Sequence, residues 1–443
     1  MSSPTLTWPG RGRPVVRDPS TGRWQLADHE PGPTRLCVVS RHPAGRSASD
    51  DNMLIHAEAR DALWALARGG MAGRIRLCYI DPPFNTGQDF DSYADRTDHG
   101  TWLSCLEERI RLARDLLCPS GFMVVHVNVV EQAYLKVLLD EIFGRDQLVA
   151  QVSWQRAPDR TLLGQGNALV SDQVEYLLIY AQGEIPPGWP RPQRRTPFPE
   201  KTLRTYCRAL EPSTDSRLVG EFRDKRGRVV RIFAHENHVL TTIPAKTLSR
   251  AAQAADLELA AFFPRMMRLS NQQPESTFQQ ELLGHMPDKG VLYRAEYTQD
   301  RGKHQGARVR YYLGGQVVLW LKDVATVEDG RLTRVSDLNN FWTAEDIPAT
   351  GIAREGGVTM RRGKKPERLL ERIIRAFSLP GEWVLDFFAG SGTTGAVSER
   401  LGRRFVLVEA GPPALALCEP RLAREILRTG GGFTVMTVRN DIQ

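Results

Sequence analysis

Two short runs hold residue types whose spacing could do chemistry: Asp81-Pro82-Pro83-Phe84, and Asp386-Phe387-Phe388-Ala389-Gly390-Ser391-Gly392-Thr393-Thr394. Each follows an apolar, strand-like stretch, Arg76 to Ile80 and Trp383 to Leu385. Proline fixes φ and lacks an N–H, so the first run presents acceptors only: the Asp81 carboxylate and the Pro82 carbonyl. Two acceptors, one for each hydrogen of a conjugated amino group, favour a more tetrahedral nitrogen with its lone pair aimed outward. Phe84 would stack on the ring that bears the amine. A negative Asp81 would favour the positive charge that builds on nitrogen during attack. The other reading of Asp-Pro-Pro is a plain loop opener after a buried strand.

The second run has the letters G-x-G-x-x-G at Gly390 to Gly395, and Glu409 lies 19 residues beyond Gly390. Such a turn lets a ligand approach the backbone, and the following helix offers unpaired N–H groups to an anion. A carboxylate at this spacing suits ribose hydroxyls. A dinucleotide and S-adenosylmethionine both fit the turn, and so does a glycine-rich bend that merely packs helix on strand. With the methyl donor, Asp386 would sit near its ammonium and Glu409 would hold its ribose. The Asp81 run favours that donor, because a nicotinamide enzyme leaves it unexplained. Together the runs point to methylation of an amino group, most simply N6 of adenine in DNA. An atom hidden in a duplex requires the base to be flipped out.

The chain has 443 residues, is 41% hydrophobic and 25% charged, and carries a formal charge of +7. That is ordinary globular composition for two or three domains. The excess positive charge permits a polyanionic partner without demanding one. Its six cysteines are scattered, with no C-x-x-C and no His cluster at zinc spacing, so we expect free thiols in a reducing cytoplasm and no metal. No signal peptide or membrane span is expected.

The elements that must position the two runs follow from apolar periodicity. We expect an α/β chain in four parts: a flexible N-terminal extension over 1–50, a catalytic half over 51–185, an inserted and partly β target-recognition domain over 186–340, and a cofactor half over 341–443. In the first half, strands are expected over 52–56, 74–80, 121–130 and 174–180, with helices over 59–68, 102–117 and 131–143. The Pro-rich stretch from Pro186 marks a stiff linker. The cofactor half reads as a helix over 366–377, a strand over 383–385, a helix over 393–400, a strand over 405–408 and a closing strand within 430–438. His99, His126, Asn128 and Trp102 are read as structural, and Tyr93 as a candidate to hold a flipped base.

The chain resembles the β-class amino-methyltransferases of DNA, in which the catalytic motif precedes the cofactor motif and the recognition region lies between. More narrowly it resembles the modification subunit of type III restriction–modification systems. The likeness rests on Tyr79 to Gly87, Asp95 to Leu103, Glu131 to Lys136, Gly363 to Glu367, Asp386 to Thr394 and Gly430 to Phe433. It implies a Rossmann-like sheet with circularly permuted motif order, S-adenosylmethionine as donor and N6-adenine as acceptor. Cytosine-N4 enzymes usually carry Ser in place of Asp81. It further implies that Lys365 and Pro366 hold the methionine end of the donor. Where the family has Gly-Asp-Asn after the first strand, this chain has Ala57-Glu58-Ala59, and Glu58 is expected at the donor's adenine. Expected partners are double-stranded DNA, a second copy of the chain and a helicase–nuclease subunit. The compact middle region makes a stand-alone enzyme an equal alternative. Cytosine N4, an RNA base and a protein glutamine are the alternative acceptors.

Overall fold

The structure is a computed structural model that describes residues 5–18, 23–28, 34–43, 52–85, 89–90, 93–94, 97–156, 172–248, 261–271, 277–299, 306–328, 331–360 and 363–440. Two compact units share the chain: Met1–Pro192 with Asn339–Gln443, and Gln193–Leu338.

The first unit is built on a ten-stranded sheet. In chain order its strands are β1 (Thr34–His42), β2 (Asn52–His56), β3 (Ile75–Ile80), β4 (Leu117–Val127), β5 (Leu148–Gln155), β6 (Val174–Ala181), β7 (Phe341–Trp342), β8 (Trp383–Asp386), β9 (Arg404–Glu409) and β10 (Phe433–Asn440). Across the sheet they run β7-β5-β6-β4-β3-β8-β9-β2-β10-β1. The stretch from β4 to β10 is parallel throughout. β6 runs antiparallel to β4 and β5, and β1 antiparallel to β10.

Helices cover both faces, as a buried parallel sheet requires. Helices α1 (Ala59–Leu66), α2 (His99–Leu116) and α3 (Val129–Phe143) pack on one side, with Ile55, Val406 and Val408. Helices α5 (Thr393–Arg400) and α6 (Glu419–Thr429) pack on the other, with the intervening residues Leu54, Phe405 and Leu407. This is the two-residue alternation of a strand sandwiched between layers. Helix α4 (Glu367–Phe377) buries Leu369, Leu370, Ile373 and Ile374, a stripe at helical spacing.

Boundaries differ from the expectation where side chains cap helices. Asp98 accepts from Thr101 N at 3.0 Å, so α2 begins at His99 rather than Trp102. Asn128 accepts from Glu131 N at 3.2 Å, which ends β4 at Val127 and starts α3 at Val129. The expected strand to Val130 therefore overran its cap.

The expectation of a flexible extension over 1–50 is corrected. Residues Val15–Arg17 pair with Trp24–Leu26 as a hairpin, and Thr34–His42 is the edge strand β1. The Trp8 indole donates to Ser104 Oγ at 2.7 Å, and Arg11 pairs with Glu107 and Glu141 at 2.9 and 2.6 Å. The two hairpin strands have three residues each and leave no periodicity to read, and the partner of β1 is β10, at the far end of the chain.

The second unit is largely antiparallel β. It holds an eight-stranded sheet and a three-stranded sheet, with its own cores around Leu203, Leu321 and Met266, and around Ile232, Ala295 and Leu282. Its bounds, 193–338, lie within the expected 186–340. Among the described residues no helix is long and apolar enough to cross a membrane, and no group of His, Cys, Asp and Glu is arranged to hold a metal ion.

Candidate active site

β3 and β8 are parallel neighbours, with Cys78 opposite Leu385. Asp81 follows the last residue of β3, and Asp386 is the last of β8. The two runs, far apart in sequence, therefore leave the sheet side by side at the carboxyl ends of its strands, where open α/β sheets place ligands. β9 ends next to them with Glu409.

The glycine turn is held by its own carboxylates. Asp386 Oδ1 accepts from Phe388 N at 3.0 Å and Oδ2 from Thr394 Oγ1 at 2.6 Å. Glu409 accepts from Gly390 N at 2.9 Å and from Gly411 N at 2.8 Å. Gly392 has φ +73°, and a Cβ there would stand 3.2 Å from Cys418 Cα. Arg421, almost wholly buried, braces the turn from behind: it donates to Thr393 Oγ1 at 2.8 Å and to Ser391 O at 3.2 Å, and pairs with Glu367 at 2.6 Å. Burial pushes Asp386 up to about 7 despite its two hydrogen bonds. Burial also raises Glu409, opposed by the N–H groups of Gly411 and Gly390 and by the charges of Arg17 and His56.

On the Asp81 side, six ionisable groups meet: Asp81, Lys365, Glu175, His126, Tyr79 and Arg156. Lys365 Nζ lies 3.2 Å from Asp81 Oδ1, 3.1 Å from Glu175 Oε2 and 4.6 Å from the centre of the Phe84 ring. His126 Nε2 is 2.8 Å from Glu175 Oε2, its Nδ1 is 3.1 Å from the Tyr79 hydroxyl, and Arg156 reaches Glu175 at 3.2 Å. Burial raises the Asp81 pKa, and Lys365 and His126 oppose it. For Glu175 burial also works upward, but Lys365, His126 and Arg156 outweigh it and hold the carboxyl well below the usual range. The turn itself is pinned by the Trp102 indole, which donates to the Pro83 carbonyl at 2.8 Å. Beyond it Asn85 takes φ +54°, a region asparagine tolerates, and accepts from Thr97 N at 3.0 Å.

One cavity of about 950 Å³, counting the part open to solvent, is lined by Asp81, Pro83, Glu58, Phe388, Gly390 and Glu409 among others. Phe84 and Lys365 stand at Asp81. Pro82 is buried, and Pro366 is the residue before α4. Ala389 is buried in the second core, while the Ser391 and Thr393 hydroxyls turn to Arg421 and that of Thr394 to Asp386. Glu58 caps α1 through Arg60 N at 2.7 Å and pairs with the fully buried Arg109 at 2.7 Å. Of the stretches that carried the resemblance, Thr86, Gly87, Asp95 and Arg96 lie outside the described residues, as does the side chain of Tyr93.

Sequence reasoning reads His126 as structural and does not single out Glu175 and Arg421, which stand against the two runs, or Arg17 and Trp24, which line the cavity. A signal exists for two of them: His126 and Glu175 interrupt the apolar runs of β4 and β6, and a buried ionisable group needs a partner.

A family model described as DNA methylase, covering the N6 and N4 methyltransferases, matches residues 75–419, and the chain belongs to that family. Among its relatives is the "Probable type III restriction-modification enzyme HindVI Mod subunit" of Haemophilus influenzae, 26% identical over 89% of this chain and 53% of that protein. The Type II methyltransferase M.KpnI of Klebsiella pneumoniae is 23% identical over 76% of each chain. The chain thus spans about half the length of the first of these. A solved structure of the PvuII DNA methyltransferase (cytosine-N4-specific) is similar at a TM-score of 0.37 and 14% identity, over 86% of this chain and 94% of that one.

Proposed function

We propose that this chain transfers a methyl group from S-adenosylmethionine to the exocyclic N6 of an adenine flipped out of DNA, as the modification enzyme of a restriction–modification system. The observation that carries the reading is the adjacency of β3 and β8, which opens the Asp81 turn and the glycine turn into one cavity. The residues present fit the donor. Asp386 is buried and Glu409 half-buried, and desolvation raises both pKa values, a setting that favours a ligand bringing positive charge and hydroxyl groups. Asp386 would face the ammonium, Glu409 the ribose, and the Gly390 turn would let the backbone approach. When bound, S-adenosylmethionine supplies an electrophilic methyl on a cationic sulfur.

The chain's own part is positioning and electrostatics. Asp81 accepts a hydrogen from the target amino group, while Lys365 and His126 favour its ionised form against the cost of burial. Trp102 holds the Pro83 carbonyl and so fixes the turn that carries Asp81. Phe84 offers its ring to the base, and the Pro82 carbonyl is the second acceptor. An aspartate at position 81 favours adenine over cytosine, and the names of the relatives, a Mod subunit and a type II methyltransferase, support DNA as substrate. The antiparallel unit over 193–338 is the candidate target-recognition unit. A helicase–nuclease partner and a homodimer are tested by co-purification. The function is tested by long-read sequencing of host DNA after expression: wild type is expected to leave N6-methyladenine at one recurring sequence, and Asp81→Ala to leave none. Modified cytosine, or an unchanged pattern in the variant, defeats the assignment.

A further inference from the structure

Arg17 and Trp24 have no part in the reading above, yet both line the cavity. They belong to the N-terminal hairpin, outside the 75–419 stretch that the family model matches. The hairpin is anchored from below. Val15 is fully buried, its carbonyl accepts from Arg109 at 3.4 Å, and its N–H reaches Glu108 at 3.4 Å. Trp24 meets Phe388 edge-on with ring centres 6.2 Å apart, and the Arg109 guanidinium lies 5.7 Å from the indole centre. Arg109 in turn pairs with Glu58 at 2.7 Å, so one buried cation links the hairpin to the mouth of α1.

We propose that Trp24 is a binding residue for the purine of the methyl donor, and that the N-terminal hairpin is a wall of the donor site. This rests on the proposed function. An indole carries a large apolar face suited to stacking on a base, and Trp24 is only half-buried while lining the cavity. Its neighbour is Phe388, two residues after Asp386 in the glycine turn, which assigns it to the donor rather than the target. The target side has its own aromatic, Phe84, beside Asp81 and Lys365. Arg17 adds a positive charge that favours ionised Glu409, the group assigned to the ribose.

Calorimetric titration of the full chain with S-adenosylhomocysteine tests this. Stacking on a base predicts that Trp24→Ala weakens binding by about fivefold to about a hundredfold, and that Trp24→Phe loses less. Hydrogen exchange on the wild type gives a second readout that needs no variant: the ligand should protect residues 15–17 and 24–26 together with the glycine turn. Should Trp24→Ala fail to fold, the exchange result decides. Equal affinity of wild type and a folded Trp24→Ala, or protection of the glycine turn without the hairpin, overturns the inference alone. Weaker DNA binding with unchanged S-adenosylhomocysteine binding also overturns it, moving the hairpin to the other substrate. A wild type that binds no S-adenosylhomocysteine overturns the donor assignment as well.

Discussion

The role proposed for Asp386 toward the ligand comes with a cost to the fold. Burial lifts the Asp386 pKa from 3.8 to about 7, with the bonds from Thr394 and Phe388 N pulling the other way. Between those values the native chain keeps a proton that the unfolded chain releases, so this group's contribution to stability falls as pH rises through the window. A bound ammonium reverses the preference and draws the proton off. Donor affinity should therefore climb with pH up to about 7 and then level, with proton release visible in calorimetry when buffers of different ionisation enthalpy are compared. Asp386→Asn should bind more weakly and without that pH dependence, yet be more stable than wild type at pH 8 by about 1–3 kcal/mol. An affinity that is flat across the acid range would remove Asp386 from the donor site. Asp81 and Asp386 are legible in the sequence because a strand end followed by Pro-Pro or by a glycine turn is a local pattern. Lys365 is singled out by its place in the Gly363 to Glu367 run, but its contacts with Asp81 and Glu175 are not legible, since β6 reaches Asp81 only by folding.

At the level of elements, the glycine turn separates two kinds of constraint. Gly392 has φ +73°, and an added Cβ would meet the Cα of Cys418, whereas Gly390 has φ +53° and only the Phe388 carbonyl oxygen at 4.0 Å. Gly392→Ala should thus cost more than Gly390→Ala. The left-handed conformation costs about 1–2 kcal/mol in both, and displacement of the segment before α6 adds to the first alone. Chemical denaturation of both variants measures the difference; equal losses would mean that backbone conformation, and not packing on Cys418, sets the price. Strands β2, β3, β8 and β9 and helix α4 can be read from their buried apolar residues, whereas α5, which buries Thr393, Thr394, Gly395 and Ser398 beside Ala396 and Val397, is read from the glycine turn before it. The N-terminal segment cannot be read this way: Trp8, Val15 and Trp24 sit in apolar runs of one to two residues among Pro, Gly and Arg, and contacts with Ser104 and Arg109 of α2 and with Phe388 of the glycine turn give them a place. Arg421 is hidden for a similar reason, being one more basic residue in a helix until its contacts with Ser391, Thr393 and Glu367 are seen.

At the scale of the whole molecule, all the residues assigned to donor and target chemistry lie in the first unit, and residues 193–338 form a second one. The ends of that second unit are neighbours, since Gln193 pairs with Asp337. Replacing 193–338 with a short Gly-Ser linker should therefore leave a folded chain that binds S-adenosylhomocysteine within about threefold of wild type and methylates no DNA, in line with independent domain cores. Loss of ligand binding in a folded deletion would show that the two units depend on each other. The α/β texture of the sequence stops at Pro186 and resumes near residue 340, and the second compact unit, 193–338, lies between those points; what its surface side chains touch is not legible, because that depends on their placement in the fold. The order of the ten-stranded sheet also bears on how the polypeptide is born. β3, the apolar strand before Asp81, has β4 on one side at once, but its other edge stays bare until Trp383 has left the ribosome, and β2 waits for β9 and β10 on both sides. Translation thus carries an open, greasy sheet margin through most of its course, the condition under which nascent chains stick to one another or call on chaperones.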